Sequence, residues 1–147
     1  MKRSEFILGG EDFKRLTAAQ LMEIDVKTFT PEALWEEMAE AMTKWHFGSV
    51  PIVDTEDRLL GVVGEEDLLS VLIEGKDLSK ITARDIMGKK PVTVTEDTNA
   101  GEIGSLLQKE RLIRVPVVKG GKLVGVVARR DLLFGYLRAT SKPPLWL

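Results

Sequence analysis

The chain has no cysteine. That removes disulfides, thiolate nucleophiles and thiolate metal sites together, and it suits a reducing interior. Histidine is almost as scarce: His46 is the single one, at a helix end between Trp45 and Phe47. An imidazole without further ligands reads as a surface or half-buried structural group, and nothing orients it toward Ser49 as a nucleophile pair. No metal site is expected. Long apolar runs are missing too. The opening MKRSEFILGGEDF sets basic residues ahead of only three consecutive apolar ones, too few for a signal-peptide core, and no later run reaches membrane-spanning length. A cytoplasmic protein with no membrane partner is the expectation. There is no block of like charge either: the net charge is −2 with 30% charged residues, which gives no general attraction to nucleic acid or to an anionic surface.

Catalytic motifs are equally absent. The sequence contains no P-loop, no G-x-G-x-x-G and no H-E-x-x-H. Carboxylates do sit side by side in Glu11-Asp12, Glu36-Glu37 and Glu65-Glu66, but adjacent helix positions do not face each other. No catalytic residue is assigned, and the chain is not expected to be an enzyme.

What is present is a duplication. Thr17, Thr28, Thr30, Val50 and Pro51 recur as Thr82, Thr93, Thr95, Val115 and Pro116, at a constant offset of 65 residues from Thr17 to Thr82. The offset falls by one after the turns at Asp54 to Arg58 and Lys119 to Lys122, where Gly61 matches Gly125 and Asp67 matches Asp131. The boundaries follow: an N-terminal extension (1–16), a first unit (17–74), a linker (75–81), a second unit (82–138) and a tail (139–147). A duplicated unit of this size predicts two like halves and a ligand-sized groove, and 44% hydrophobic content suffices to fill a core.

Each unit reads as strand, helix, strand, strand, helix. In the first, Thr28 to Thr30 runs into a helix opened by Pro31 and capped by Thr30, with Trp35, Met38, Ala39, Met42 and Trp45 on its apolar stripe and Gly48 at its end. A hairpin (Val50 to Val53, Leu59 to Val63) and a helix from Glu65 to Ile73 complete it. In the second, Val92 to Thr95 is the strand and Asn99 to Lys109 the helix. Val115 to Lys119 and Lys122 to Val127 form the hairpin around Gly120-Gly121, and Arg130 to Leu137 is the last helix. Gly101 and Gly104 either mark a close approach by a neighbour or simply weaken their helix. Outside the repeats, Phe6, Ile7, Leu8, Phe13 and Leu16 could cover a sheet or helix face, and Pro143 to Leu147, with Trp146, is either a contact or a loose end.

Three paired segments carry a family resemblance: AAQLM and ARDIM, SVPIVD and RVPVVK, GVVGEEDLL and GVVARRDLL. In this order they resemble a tandem of cystathionine beta-synthase (CBS) domains, the Bateman module, over about residues 17 to 138. The resemblance implies an α/β (α+β) fold of two pseudo-twofold related β-α-β-β-α units. It also implies a cleft binding AMP, ADP, ATP or S-adenosylmethionine, a homodimer, and a regulatory role toward an unidentified target protein. An adenine nucleotide or S-adenosylmethionine would be a regulatory ligand, with no catalytic cofactor.

In that family the last strand runs into G-h-h-[ST]-x-x-D. A hydroxyl, free backbone N–H groups and the positive end of a helix then converge on phosphate, while the carboxylate accepts from ribose hydroxyls. The resemblance makes Asp67 and Asp131 the ribose candidates; the alternative is dipole complementarity in a first helical turn. At the Ser/Thr position this chain has Gly64 and Ala128, so neither site offers the hydroxyl. Charge separates the two. The second site carries Arg129 and Arg130, with Arg114 ahead of VPVV, whereas the first carries Glu65, Glu66 and, opposite Arg114, Ser49. Arginine forks match phosphate and carboxylates repel it, so a nucleotide is expected at Asp131, with Asp67 empty or holding a neutral or cationic adenosyl group. Solvated surface or ion pairing is the competing use of the arginines. Val92, Ile113, Val115 and Pro116 are candidate walls for adenine, with Val26, Gly48, Val50 and Pro51 as the first unit's set. Core packing competes for all of them. The expected function is a non-catalytic adenosyl-ligand sensor; the alternative is a ligand-free oligomerisation or protein-interaction module.

Overall fold

The computed structural model describes Ile7 and residues 9–141. Phe6, Leu8 and the Pro143 to Leu147 tail lie outside the described residues. The chain forms two compact units, and neither is one sequence repeat. One takes residues up to 26, 92–120 and from 124 onward; the other takes 27–91 and 121–123. Each unit therefore combines the opening segment of one repeat with the body of the other.

The unit containing Asp131 starts with a 3-10 turn, Phe13–Arg15, and a short helix α1, Ala18–Leu21. Thr17 and Gln20 cap α1 reciprocally: Thr17 N–H donates to Gln20 Oε1 at 3.0 Å and Gln20 N–H to Thr17 Oγ1 at 3.4 Å. The chain returns at β3 (Val94–Thr95), crosses through α5 (Ala100–Lys109) to β4 (Arg114–Lys119), and turns into β5 (Lys122–Ala128) and α6 (Arg129–Thr140). The sheet order is β3-β4-β5, with β3 and β4 parallel. Val115, Val117 and Val127 from the sheet pack with Leu16, Leu21, Met22, Ile103 and Leu107 in one core. Ile7 and Leu16 are buried there, and Phe13 meets Tyr136 edge to face at 5.7 Å, so these N-terminal apolar residues do cover a helix face.

The other unit is built from α2 (Trp35–Trp45), β1 (Ser49–Val53), β2 (Leu59–Gly64), α3 (Glu65–Glu74) and α4 (Ala83–Ile86). β1 and β2 are antiparallel, Val50 opposite Val63, with an irregularity between Ile52 and Val53. Met38, Met42, Val50, Ile52, Val63 and Leu68 form its core, and Trp35 Nε1–H donates to Leu68 O at 3.0 Å.

Two expected helix limits shift here. α2 begins at Trp35, because Pro31 and Ala33 use their carbonyls to accept from Arg84 N–H (2.9 Å) and Ala83 N–H (2.8 Å) and so belong to a paired turn. It ends one residue before His46, an exposed C-cap at φ 57°, so the stop precedes Gly48. In the other unit α6 starts at Arg129 and runs to Thr140, beyond the Leu137 expected from the sequence.

Glycine marks where the opening segments dock. A Cβ on Gly125 would meet Met22 Sδ at 2.6 Å and Glu23 O at 3.0 Å; one on Gly61 would meet Gly88 O at 2.5 Å and Met87 Cγ at 3.0 Å. The same contact is thus built twice, since Met22 and Met87 are repeat equivalents. Gly101 and Gly104 are different. Added methyls there would find nothing nearer than 3.4 Å and 3.7 Å, so no close approach requires them and they only weaken α5. Gly125→Ala is therefore expected to cost about 1–3 kcal/mol through overpacking, whereas Gly104→Ala gains about 0.5–1 kcal/mol. Urea midpoints of the two variants against wild type check both signs.

Candidate functional site

The sequence motif puts Asp131 in the first turn of α6. Its Oδ2 accepts the Ala128 N–H at 2.7 Å. The matching bond in the other unit, Gly64 N–H to Asp67 Oδ2, has the same length of 2.7 Å. Both helices thus open with an aspartate reaching back to a cap residue that has no side-chain acceptor, which supplies one half of a capping box. The two aspartates differ in burial. Asp131 is 2% exposed, the only buried charged side chain among the described residues, while Asp67 is half-buried.

A buried carboxylate needs compensating charge or donors. Around Asp131 the chain supplies both. Arg129 N–H donates to Ile113 O at 2.9 Å and Arg129 Nε–H to Leu112 O at 3.1 Å, which fastens the start of α6 to the turn before β4. That turn delivers Arg114. Burial lowers the Arg114 guanidinium's pKa first, and the like charge of Arg130 lowers it further; the Asp131 and Glu23 carboxylates act in the opposite sense. A guanidinium so placed stays charged. Arg114, Arg130, Asp131 and Glu23 accordingly form one electrostatic group in a single unit.

The remaining candidates fall into place around it. Val92 is partly buried, Ile113 is 55% exposed, and Val115 and Pro116 are buried, with Val115 in the core. Of the apolar set, Ile113 presents the most surface. In the other unit Val50 and Pro51 are buried, Ser49 and Gly64 partly so, and Glu65 and Glu66 are exposed. Val26 is counted with the Asp131 unit, apart from Gly64 and Asp67. Glu23 is the residue that motif reading missed. It stands in the first repeat's opening segment, and only the tertiary exchange of that segment brings it to the Asp131 site.

An open groove of about 730 Å³ also lies in the Asp131 unit, lined by Lys14, Arg15, Asn99, Glu102 and Lys109 among others. It is distinct from the Asp131 group, and its charges are mixed and solvated. Among the described residues no cluster of three or more His, Asp and Glu could hold a metal, and no helix is long and apolar enough to cross a membrane.

A family model described as CBS domain matches residues 18–74 and 83–138. The chain belongs to the CBS domain family. Both matched segments include the paired motifs, so this is a CBS pair, the Bateman arrangement. An uncharacterized protein of Methanopyrus kandleri is 34% identical over 122 residues, which cover 82% of this chain and 62% of that one. The uncharacterized protein YlbB of Bacillus subtilis is 36% identical over 76% of each chain. This CBS pair thus spans under two thirds of the first relative's length. Among solved structures, CBSX2 in complex with AMP superposes with a TM-score of 0.75 at 25% identity, covering 83% of this chain and 96% of that one. The mixed α and β fold expected of a CBS pair is present.

The missing hydroxyl gives a direct test of this site. A serine in place of Ala128 adds an N-cap acceptor for the first-turn N–H groups of α6 while Asp131 keeps its bond to the cap nitrogen. Ala128→Ser is expected to raise stability by about 0.5–1 kcal/mol, and thermal melting of the two chains measures it.

Proposed function

We propose that this CBS pair is a non-catalytic regulatory module that takes an adenine nucleotide at the Asp131 site and passes occupancy to a second copy of itself or to a target protein. The observation that carries the reading is the buried Asp131, held by the Ala128 N–H, with the Arg114 guanidinium under the charge of both Asp131 and Arg130. A carboxylate accepts several donors at once, which suits ribose hydroxyls, and guanidinium groups suit phosphate. CBSX2, solved with AMP, supports the ligand class.

Asp131 has almost no exposed surface, so a ribose reaches it only after the side chains above it move. Arg114 is the group that a phosphate would draw away. Occupancy then trades an internal charge arrangement for one made with the ligand, and the difference in free energy between the two states is what can be signalled. At the other site Glu65 and Glu66 repel phosphate, so Asp67 is left empty or takes an adenosyl group that is neutral or cationic there, such as S-adenosylmethionine. An adenine-nucleotide sensor without cysteine belongs in the cytoplasm, where such ligands are held.

A second reading, a ligand-free assembly module, is favoured by one observation. α6 exposes Leu133 and Leu137 (both 68%) and α3 exposes Ile73 (76%), apolar surface of the kind that a homodimer covers. Calorimetry with AMP, ATP and S-adenosylmethionine on wild type and Asp131→Asn separates the two. The sensor reading expects nucleotide binding that falls at least tenfold in the variant, about 1.4 kcal/mol, and a rise in melting temperature of the wild type with ligand. No heat with any of the three, together with dimers that dissociate in Leu133→Glu, leaves assembly as the function.

A further inference from the structure

We infer that Glu23 is a specificity-determining residue of the Asp131 site: its carboxylate balances the arginine charge there and so limits how strongly phosphate is favoured. This rests on the nucleotide reading above and adds to it which nucleotides the site prefers.

The geometry comes first. Glu23 N–H donates to Val126 O at 2.8 Å and Val126 N–H to Glu23 O at 3.0 Å, so the residue is locked against the free edge of β5 by a reciprocal pair. Bare Gly125 beneath it leaves room for Met22 and the Glu23 carbonyl. β5 then runs two residues further to Ala128, whose N–H holds Asp131. On the other side of β5 stands β4, which begins at Arg114. Glu23 and Arg114 thus flank, from opposite sides, the strand end that leads into the site.

The electrostatics agree with this placement. Glu23 and Asp131 are the two carboxylates whose charges act on Arg114. Within that group two arginines, 114 and 130, stand against two carboxylates, and removing Glu23 would leave one excess positive charge.

The chain contains its own control. The repeat equivalents of Glu23, Arg114 and Arg130 are Gly88, Ser49 and Glu66. Acid and base are present together in one unit and missing together in the other, as a working pair requires. Glu23 is partly buried, and its carboxylate accepts the Asp25 N–H at 3.3 Å.

The test is a charge series. Adenosine, AMP, ADP and ATP differ in phosphate charge but present the same base and ribose. Calorimetric titration of each into wild type and Glu23→Gln, which keeps the side-chain shape, is expected to show unchanged affinity for adenosine, a gain of about threefold for AMP and about tenfold for ATP. The gain should shrink in high salt. Glu102→Gln, which removes an exposed carboxylate on α5 of the same unit, should show no such gradient. Glu23→Ala repeats the measurement should the amide misfold the segment. A gain equal for adenosine and ATP, a loss of affinity, or the same gradient from Glu102→Gln overturns the inference while leaving the nucleotide reading intact. Absence of binding by wild type and variants alike overturns that reading and the inference with it.

Discussion

The Asp131 site depends on a two-bond lock between Glu23 and Val126. Those backbone hydrogen bonds, with Met22 lying on the bare backbone of Gly125, fix the first repeat's opening segment to the last strand of the second repeat. An edge strand has unpaired N–H and C=O groups that must find partners, and the opening segment supplies them here. The same contact recurs where Val62 and Gly88 exchange bonds of 3.0 and 3.3 Å beside Gly61. One exchange, made twice, sets the composition of both compact units.

From that shared scaffold the two ends of the duplication diverge in charge. The Asp67 unit keeps the helix-opening aspartate and surrounds it with glutamates. The Asp131 unit buries its aspartate within the charge range of Arg114, places Arg129 and Arg130 just ahead of it in the chain, then adds Glu23. Because a hydrogen bond of 2.7 Å to the cap nitrogen is common to both, the cap explains the aspartate but not the arginines. A surface carboxylate at a helix N-terminus contributes about 0.3–1 kcal/mol and needs no burial to do so. Burying it near a desolvated guanidinium is a costlier arrangement, of the kind that functional sites use to tune charge.

Much of the fold was legible in the sequence. Most of the duplicated order of elements came from short, buried runs of Val and Ile between turn residues, although the strand expected over Thr28 to Thr30 is reduced to a single bridge from Phe29 to Ile52. Gly120-Gly121 marked its turn because both adopt positive φ, 58° and 81°. The apolar stripe of α2 gave its buried face through Met38 and Met42, but Trp45, expected on that stripe, is the last helical residue and stands 61% exposed. What could not be read was anything that depends on partners distant in sequence. Pro31 reads as a helix start until Arg84 claims its carbonyl and Ala83 that of Ala33, and Gly104 reads as a close-contact point until its nearest neighbour proves to be Leu132 at an ordinary 3.7 Å from an added Cβ. The site divides in the same way. Asp131, Arg114 and Arg130 stood out as candidates because each lies in one of the repeated motifs, RVPVVK or GVVARRDLL, whereas Glu23 arrives from more than ninety residues upstream and carries no motif of its own.

Amide and guanidinium NMR shifts recorded during addition of ATP test the central claim most directly, because they report location and binding in one experiment. The account predicts that the largest changes fall on the backbone N–H groups of Ala128 to Asp131, on Arg114 with its side-chain Nε–H, and on Ile113. Changes concentrated at Gly64 to Asp67, or in the groove by Lys14 and Lys109, with the Asp131 turn unmoved, would contradict it.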